Sequence, residues 1–523
     1  MSNFSSSYSN FGYLALKEQS SAAAVIPDTY VRIKSQSLVP DYKINPINEI
    51  AGDRERMITS VQGQIEVGGD IELYVEEKQI GNFLNSLCGS PTSQTMFSSA
   101  AARHVFEIKN VLNKYTIDIA LAAAPWVHRF YGCVMTKLAF GQDNNAIKCT
   151  ASVMPTKAFI GARVTTAASS GTALLVDQTD GLVATDTLLV IRNATNGTFT
   201  TVGEITVTSV TDGTTLVVST IGVSIAVGDI IHIKRAASTA VTYVQCQPFQ
   251  FSNGTGVFTG DDIDNTAERI TEDFSIELEN DMERHFGSGL DEGKRYPYDI
   301  VVKGYKAKAK LSKFFDSDEY LDRLRANDRM AVRYFMQGNH YVTANSATKA
   351  RSNWGSGNGF YVEAATAGKA GNDYNITIVV NTTDVLNASF NPVGSKNILL
   401  KLANTTAANN TGTLIATALD ALTGIDSVAV GTGAETFTTA EANVNLGFRS
   451  SGTNVVGTDA SQKPYLQFDF SSASVDSYFP GSSDDSVVME EIPLTIYKDV
   501  DCTNPQNKLW STRIFLYNSI LSY

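Results

Sequence analysis

Residues that carry chemistry are scarce in this sequence. Its 523 residues include five histidines, His104, His128, His232, His285 and His340. None lies three or four residues from another and HExxH is absent, so no helix presents the paired imidazoles of a zinc site. The five cysteines, Cys88, Cys133, Cys149, Cys246 and Cys502, are scattered, and no CxxC occurs. An odd number of isolated thiols argues against a disulfide framework and for buried free cysteines in a chain made in a reducing compartment. No GxSxG turn is present. Gly355-Ser-Gly-Asn-Gly359 is glycine-rich but lacks the Lys-Ser/Thr of a P-loop and reads as linker. Gly260-Asp-Asp-Ile-Asp264 looks like part of a calcium loop, without the glycine at its sharp turn or the closing glutamate, and reads as a polar turn. A polysaccharide or cell-wall hydrolase on a β-scaffold would need a convergent acid pair, triad or metal motif. The sequence offers none, so no catalytic residue, cofactor or metal is expected.

Positive charge and long apolar runs are also lacking. Lys and Arg number 41 against 54 Asp and Glu, a net charge of −13. That excludes a protein that grips nucleic acid by its phosphates, but not one past which nucleic acid slides. No run approaches the ~18 apolar residues of a membrane span. Residues 1–13, MSNFSSSYSNFGY, lack the apolar core of a signal peptide. Charged residues make up 18%, below the usual ~25%. Abundant Thr, Ser, Ala, Val, Gly and Asn suit a β-sandwich with many turns.

What the chain does have is pattern. Ile65, Val67, Ile71, Leu73 and Val75 alternate with Glu66, Asp70, Glu72 and Glu76. This predicts a half-buried strand with one wet, acidic face. The period then changes: Ile80, Phe83, Leu84 and Leu87 form one helical stripe, and Gly89 supplies a stop. The same unit returns later. Tyr305, Ala307, Ala309 and Leu311 alternate with Lys306, Lys308 and Lys310; a helix follows, opened by Asp316 and Glu319 as a capping box and closed by Asn327. The core therefore reads as two similar halves, one with an acidic and one with a basic wet face. The four acids step along one strand face at ~7 Å, too regularly for a catalytic pair.

Composition divides the chain. Residues 1–158 form the first half of the core, with a strand pair at 129–140 and 147–154 across Gly141-Gln-Asp-Asn-Asn145. Residues 159–236 lose almost all aromatics and read as a self-contained inserted β-domain, with Asp212-Gly213 as a tight hairpin. Residues 237–353 form the second half. Residues 354–460 read as an inserted α+β domain with one helix over 411–422, and 461–523 return to core strands. Residues 41–57 read as a long polar loop, and Asp53, Arg54, Glu55 and Arg56 at its end suit docking to a neighbouring copy.

Several stretches resemble the tail tube proteins of long-tailed bacteriophages. They are GYLALKEQSSAAAVIPDTYVRIKSQSL near the N-terminus, IAGDRERM followed by GGDIELYVEEKQIGNFLNSLCGS, HVFEIKNVLNKYTIDIAL, and HRFYGCVMTKLAFGQDNNAIKCTASVMPTKA. AERITEDFSIELENDMERHFGSG and YDIVVKGYKAKAKLSKFFDSDEYLDRL are similar to a second round of the same elements. The resemblance covers roughly 1–158, 237–350 and 461–523. It implies a mainly β tube core, a sandwich or partial barrel with two short helices and an internal two-fold repeat. It further implies a structural virion protein assembled in the host cytoplasm into stacked, generally hexameric rings that conduct the DNA genome. Its implied partners are other copies of itself, a tape measure protein, terminator or tip proteins, and passing double-stranded DNA without specific binding. An acidic lumen repels DNA, so Glu66, Asp70, Glu72 and Glu76 are the expected channel lining. Asp53, Arg54, Glu55, Arg56, Lys306, Lys308 and Lys310 are the expected subunit or ring contacts. Large inserts fit only on the outside of a tube and would collide with a sheath, which implies a non-contractile tail. A tail terminator, a capsid decoration protein and the tube of a contractile secretion apparatus share much of this pattern and stand as alternatives.

Overall fold

The structure, a computed structural model, describes residues 12–523 apart from 49–56, 97–100, 121–123, 194–198, 238–239, 244–245, 253–255, 261–265, 269, 287–295, 315–317, 340–341, 344–348, 356, 393–394, 448, 450–453, 456–460, 482–488 and 499–510. Expectations placed on Asp53, Arg54, Glu55, Arg56, Asp316, His340, Cys502 and the 261–264 turn lie outside the described residues.

The chain is mainly β. The elements that position the candidate site are β1 (Val39–Asn48), β2 (Met57–Tyr74), α1 (Ile80–Cys88), β3 (Ala101–Glu107), β4 (Trp126–Asp143), β5 (Ala146–Met154), β6 (Ile270–His285), β7 (Asp299–Phe314), α2 (Glu319–Ala326), β8 (Met330–Gln337), α3 (Gly412–Asp420), β9 (Tyr465–Val475), β10 (Phe479–Gly481), β11 (Met489–Tyr497) and β12 (Thr512–Asn518). The main sheet runs β1–β2–β5–β4–β6–β7–β11, and the last position is shared by the end of β9 and by β10. All these pairs are antiparallel. A second sheet, β3–β12–β9–β8, shares β9 with the first.

The two halves expected from the sequence are visible as one strand order used twice. In the first half the order is β1–β2–β5–β4; in the second it is β6–β7–β11–β9. Each half sets its first, second, fourth and third strand side by side, and each inserts a helix after the second. The third strand bends in both. Residues 127–133 of β4 pair with the strand Tyr115–Ala120, whereas its later residues pair with β5 and β6. β9 likewise gives residues 465–470 to the second sheet and 472–475 to the main sheet. The bend in β4 falls at Gly132, whose φ of 61° is left-handed, and a Cβ there would lie 2.3 Å from Thr156 Oγ1.

The alternation of β2 is the reason it folds as it does. Ile65, Val67, Ile71, Leu73 and Val75 are all buried, in one cluster with Ile80, Phe83, Leu84 and Leu87 of α1. Gly89 ends α1 at φ 94°. Tyr320 of α2 is fully buried, and Asn327 closes that helix in the left-handed region at φ 51°. The helix begins at Glu319 with Asp318 as its N-cap, which makes no side-chain cap bond, and Glu319 pairs with Arg323 one turn on.

Two boundaries differ from the composition shifts. The 159–236 segment is not self-contained. Its apolar cluster includes Tyr13, Ala15, Ala120 and Val127, and Ile233 is in register with Val127 of β4. In the later unit a separate cluster runs from Ala350 to Leu446, around α3 and two small sheets. Gly355 to Gly359 is the turn of a hairpin within it, not a linker, because Arg351–Trp354 pairs with Phe360–Ala364. Trp354 belongs to this core and stacks on Phe360 at 5.3 Å.

Candidate functional site

The main sheet has one apolar and one polar face. Across five joints Ile71, Ala151, Leu138, Leu278, Ala307 and Ile496 are successive register partners, and all are buried. One residue away along the strands, Glu72, Thr150, Ala139, Glu277, Lys308 and Thr495 form the matching row on the other face. The next such row is Asp70, Ser152, Lys137, Glu279 and Lys306. The acidic strand and the basic strand therefore lie on the same face of one sheet. They do not meet each other directly.

Their partners are the neighbouring strands. Lys306 Nζ lies 3.0 Å from Glu279, Lys310 2.8 Å from Glu491, and Lys137 3.0 Å from Glu277. Lys148 lies 3.8 Å from Glu72, and Arg284 3.6 Å from Glu66. Ser152 donates to Asp70 at 2.7 Å and Ser35 to Glu72 at 3.1 Å. Exposed pairs of this kind contribute about 0–1 kcal/mol each, so they tune the charge of the face more than they hold the fold.

Glu76 does not share that face. It is 4% exposed, beyond the end of β2, where the chain turns toward α1 and the backbone carbonyl of Glu76 accepts from the N–H groups of Gln79 and Ile80. Cys246 Sγ donates to its side chain at 3.3 Å, and Arg32 lies 3.9 Å away. Burial raises its carboxyl above the ordinary range, opposed by these two groups. Strand periodicity carries the sequence reading past the point at which the strand stops.

The edges of the sheet are the second feature. Half of the expected 41–57 loop is strand: β1 pairs with β2 along one edge, and among the described residues its other edge has no partner. Val39, Tyr42 and Ile44 are 59%, 51% and 65% exposed. At the opposite end β10 pairs with β11 and, among the described residues, with no other strand.

Buried charges mark the joints between the parts of the molecule. Arg129 Nε and Nη2 reach the two carboxylate oxygens of Asp118 at 2.8 and 2.9 Å, and Nη1 reaches Asp186 at 2.7 Å. Burial pushes the Asp118 carboxyl upward, and the guanidinium opposes it. Arg333 pairs in the same two-pronged way with Asp469 at 2.8 and 2.9 Å. Arg513 Nη1 donates to Asn445 at 2.5 Å, and Arg333 lies 4.0 Å from Asp373, which fixes the 350–446 unit to the second sheet. That unit covers the face of the second sheet turned away from the core. A cavity of about 220 Å³ remains there, lined by Phe335, Tyr465 and Gln467 on one side and Ala370 and Asp373 on the other. The Phe335 and Tyr465 rings lie 5.5 Å apart, and among the described residues no three His, Cys, Asp or Glu side chains gather to hold a metal.

A polar sheet face, two open edges and a bulky unit on the far side are features of an assembling wall. Residues 12–230 match the model of a family described as phage tail tube protein. Over that span the chain is similar to phage tail tube proteins. No curated protein matches it. That similarity supports a structural role in a virion tail. The matched span runs on through the aromatic-poor segment to residue 230, in keeping with the core which that segment shares with β4. Among the described residues no helix is long and apolar enough to cross a membrane.

Sequence reasoning missed β1, and it missed the acids of β6 and β11 that neutralise the lysines. The alternation Phe274, Ile276, Leu278 against Ser275, Glu277 and Glu279 was legible. Its adjacency to β7 in the sheet was the missing piece.

Proposed function

We propose that copies of this chain form stacked rings with sixfold-related tube units, and that the polar face of the main sheet lines a channel conducting double-stranded DNA. The observation that carries this reading is the continuity of that face across both halves of the chain, with the 350–446 unit seated behind the opposite sheet. In this arrangement Glu66, Asp70 and Glu72 face the lumen with Glu277, Glu279 and the lysines of β7. The wall is mixed in charge rather than purely acidic. Acids beside Lys306, Lys310, Lys137 and Lys148 prevent a continuous cationic track, so passing phosphates meet no surface that exchanges their counterions. Asp53, Arg54, Glu55 and Arg56, between β1 and β2 in the sequence, supply a subunit or ring contact. The outer units project into solvent, which fits a non-contractile tail. Tape measure and terminator or tip proteins engage the lumen and the tube ends. The alternative virion roles, terminator ring and capsid decoration, call for closed or capsid-bound assemblies. Negative-stain microscopy of the concentrated protein separates them: hollow tubes of uniform width with outward knobs are expected, and isolated rings that never stack would favour the terminator.

A further inference from the structure

The joint between the first half of the core and the 159–236 segment holds a cleft of about 310 Å³. The buried part of its lining is polar. Arg129 lies between Asp118 and Asp186, and its Nη1 also donates to the Gly181 carbonyl at 3.2 Å. Asp186 is only 4% exposed. Its Oδ2 accepts from Arg129 and from the Val183 N–H, both at 2.7 Å, whereas among the described residues Oδ1 accepts no hydrogen bond. A carboxylate oxygen so enclosed calls for a donor from outside the chain. The residue before it, Thr185, also lines the cleft, is exposed, and holds φ 77°. A β-branched residue in the left-handed region is strained, and such strain gathers where a side chain is put to use.

The rest of the lining is largely aromatic and aliphatic, with Tyr13 and Tyr30 beside Ile26 and Pro27. The two tyrosine rings meet edge to face with centroids 5.3 Å apart, and Tyr30 is half-buried. The Tyr13 hydroxyl accepts from the Ala236 N–H at 3.0 Å. Burial pushes its pKa up to about 12, so it keeps its own proton to donate. The charges around the cleft balance. Arg129 faces two carboxylates, Lys234 pairs with Glu204 at 2.6 Å, and Arg235 lies 5.8 Å over the Tyr13 ring. A charged ligand would bring in a charge without a counterpart, which is costly away from water. A neutral ligand rich in hydroxyls would not.

We propose that this cleft binds one neutral monosaccharide unit, with a sugar hydroxyl donating to Asp186 Oδ1, a second bonded to the Thr185 hydroxyl, and the C–H face of the ring against Tyr30. A pyranose has the required two-sided character, hydroxyls around its edge and apolar C–H groups on its faces, and an aromatic ring with a polar tip matches it. The volume is at the small end of ligand pockets, so the cleft takes one ring rather than a chain. The proposal is independent of the tube reading and stands or falls by itself.

Saturation-transfer NMR on the full chain is the test, with methyl α-glucopyranoside, methyl β-galactopyranoside and N-acetylglucosamine as neutral probes and glucuronate and choline as charged controls. Transfer to at least one neutral sugar and to neither control is expected. Affinity for that sugar should fall about tenfold in Tyr30→Ala and in Thr185→Gly. Glycine relieves the left-handed strain, so Thr185→Gly should melt no lower than the parent while it loses binding, which a purely structural residue would not do. Thr185→Ser keeps the hydroxyl and should keep the affinity. No transfer to any of the three sugars, a preference for either control, or binding untouched in both Tyr30→Ala and Thr185→Gly overturns the proposal.

Discussion

Single residues decide whether the joints of this molecule hold. Arg129 is 1% exposed between two buried carboxylates. The Arg129→Met variant leaves both without a counter-charge, and a loss of about 3–5 kcal/mol in denaturant unfolding of the monomer is expected. A loss below about 1 kcal/mol would show that the carboxylates find water or protons instead. Glu77 gives a pH signature. Burial pushes its carboxyl up to about 7, with Lys78 opposing and Glu76 reinforcing. The folded chain therefore favours the proton. The stabilisation is full below the ordinary value of 4.5 and is lost as pH rises through about 7. Glu77→Gln should flatten this part of the stability profile and make the variant the more stable of the two above about pH 7. Parallel profiles for the two proteins would contradict it.

At the scale of elements, Gly132 is the hinge that lets β4 serve two sheets. Gly132→Ala forces a left-handed alanine against Thr156 and should cost about 1–3 kcal/mol. Gly141→Ala lies on the same strand, where a Cβ meets only a carbonyl at 3.7 Å, and should be near neutral in the same melting experiment. Elements with one buried face were legible in the sequence. The period of two in β2 and β7 and the helical stripe of α1 follow directly from what each buries. β1 was not legible because none of its described side chains, Val39 to Ile44, is buried, and a register shift between Tyr42 and Ile44 breaks its alternation. Periodicity also could not place Glu76, because a strand's last residue is set by the turn that follows. The acidic and basic strands were both found, but which strands lie between them depends on pairings remote in sequence, Glu277 with Lys308 and Glu279 with Lys306.

At the scale of the molecule, the 350–446 unit has its own apolar cluster and is tied to the second sheet by a few polar contacts. Expressed alone as residues 349–447, it should melt as one cooperative transition in calorimetry; a broad, non-cooperative trace would mean that its fold depends on the second sheet. The face it leaves behind includes Val105, Phe515 and Tyr517. In the intact chain it therefore serves as a cover as well as an appendage.

The central claim is that one polar sheet face, built from both halves, is the channel wall. A reconstruction of the assembled tube at side-chain detail tests it most directly. The account predicts Glu72, Glu277 and Lys308 pointing into the channel in one row, with Trp354 and its unit on the outer surface. A channel lined by the second sheet, or this row turned to the outside, would contradict it.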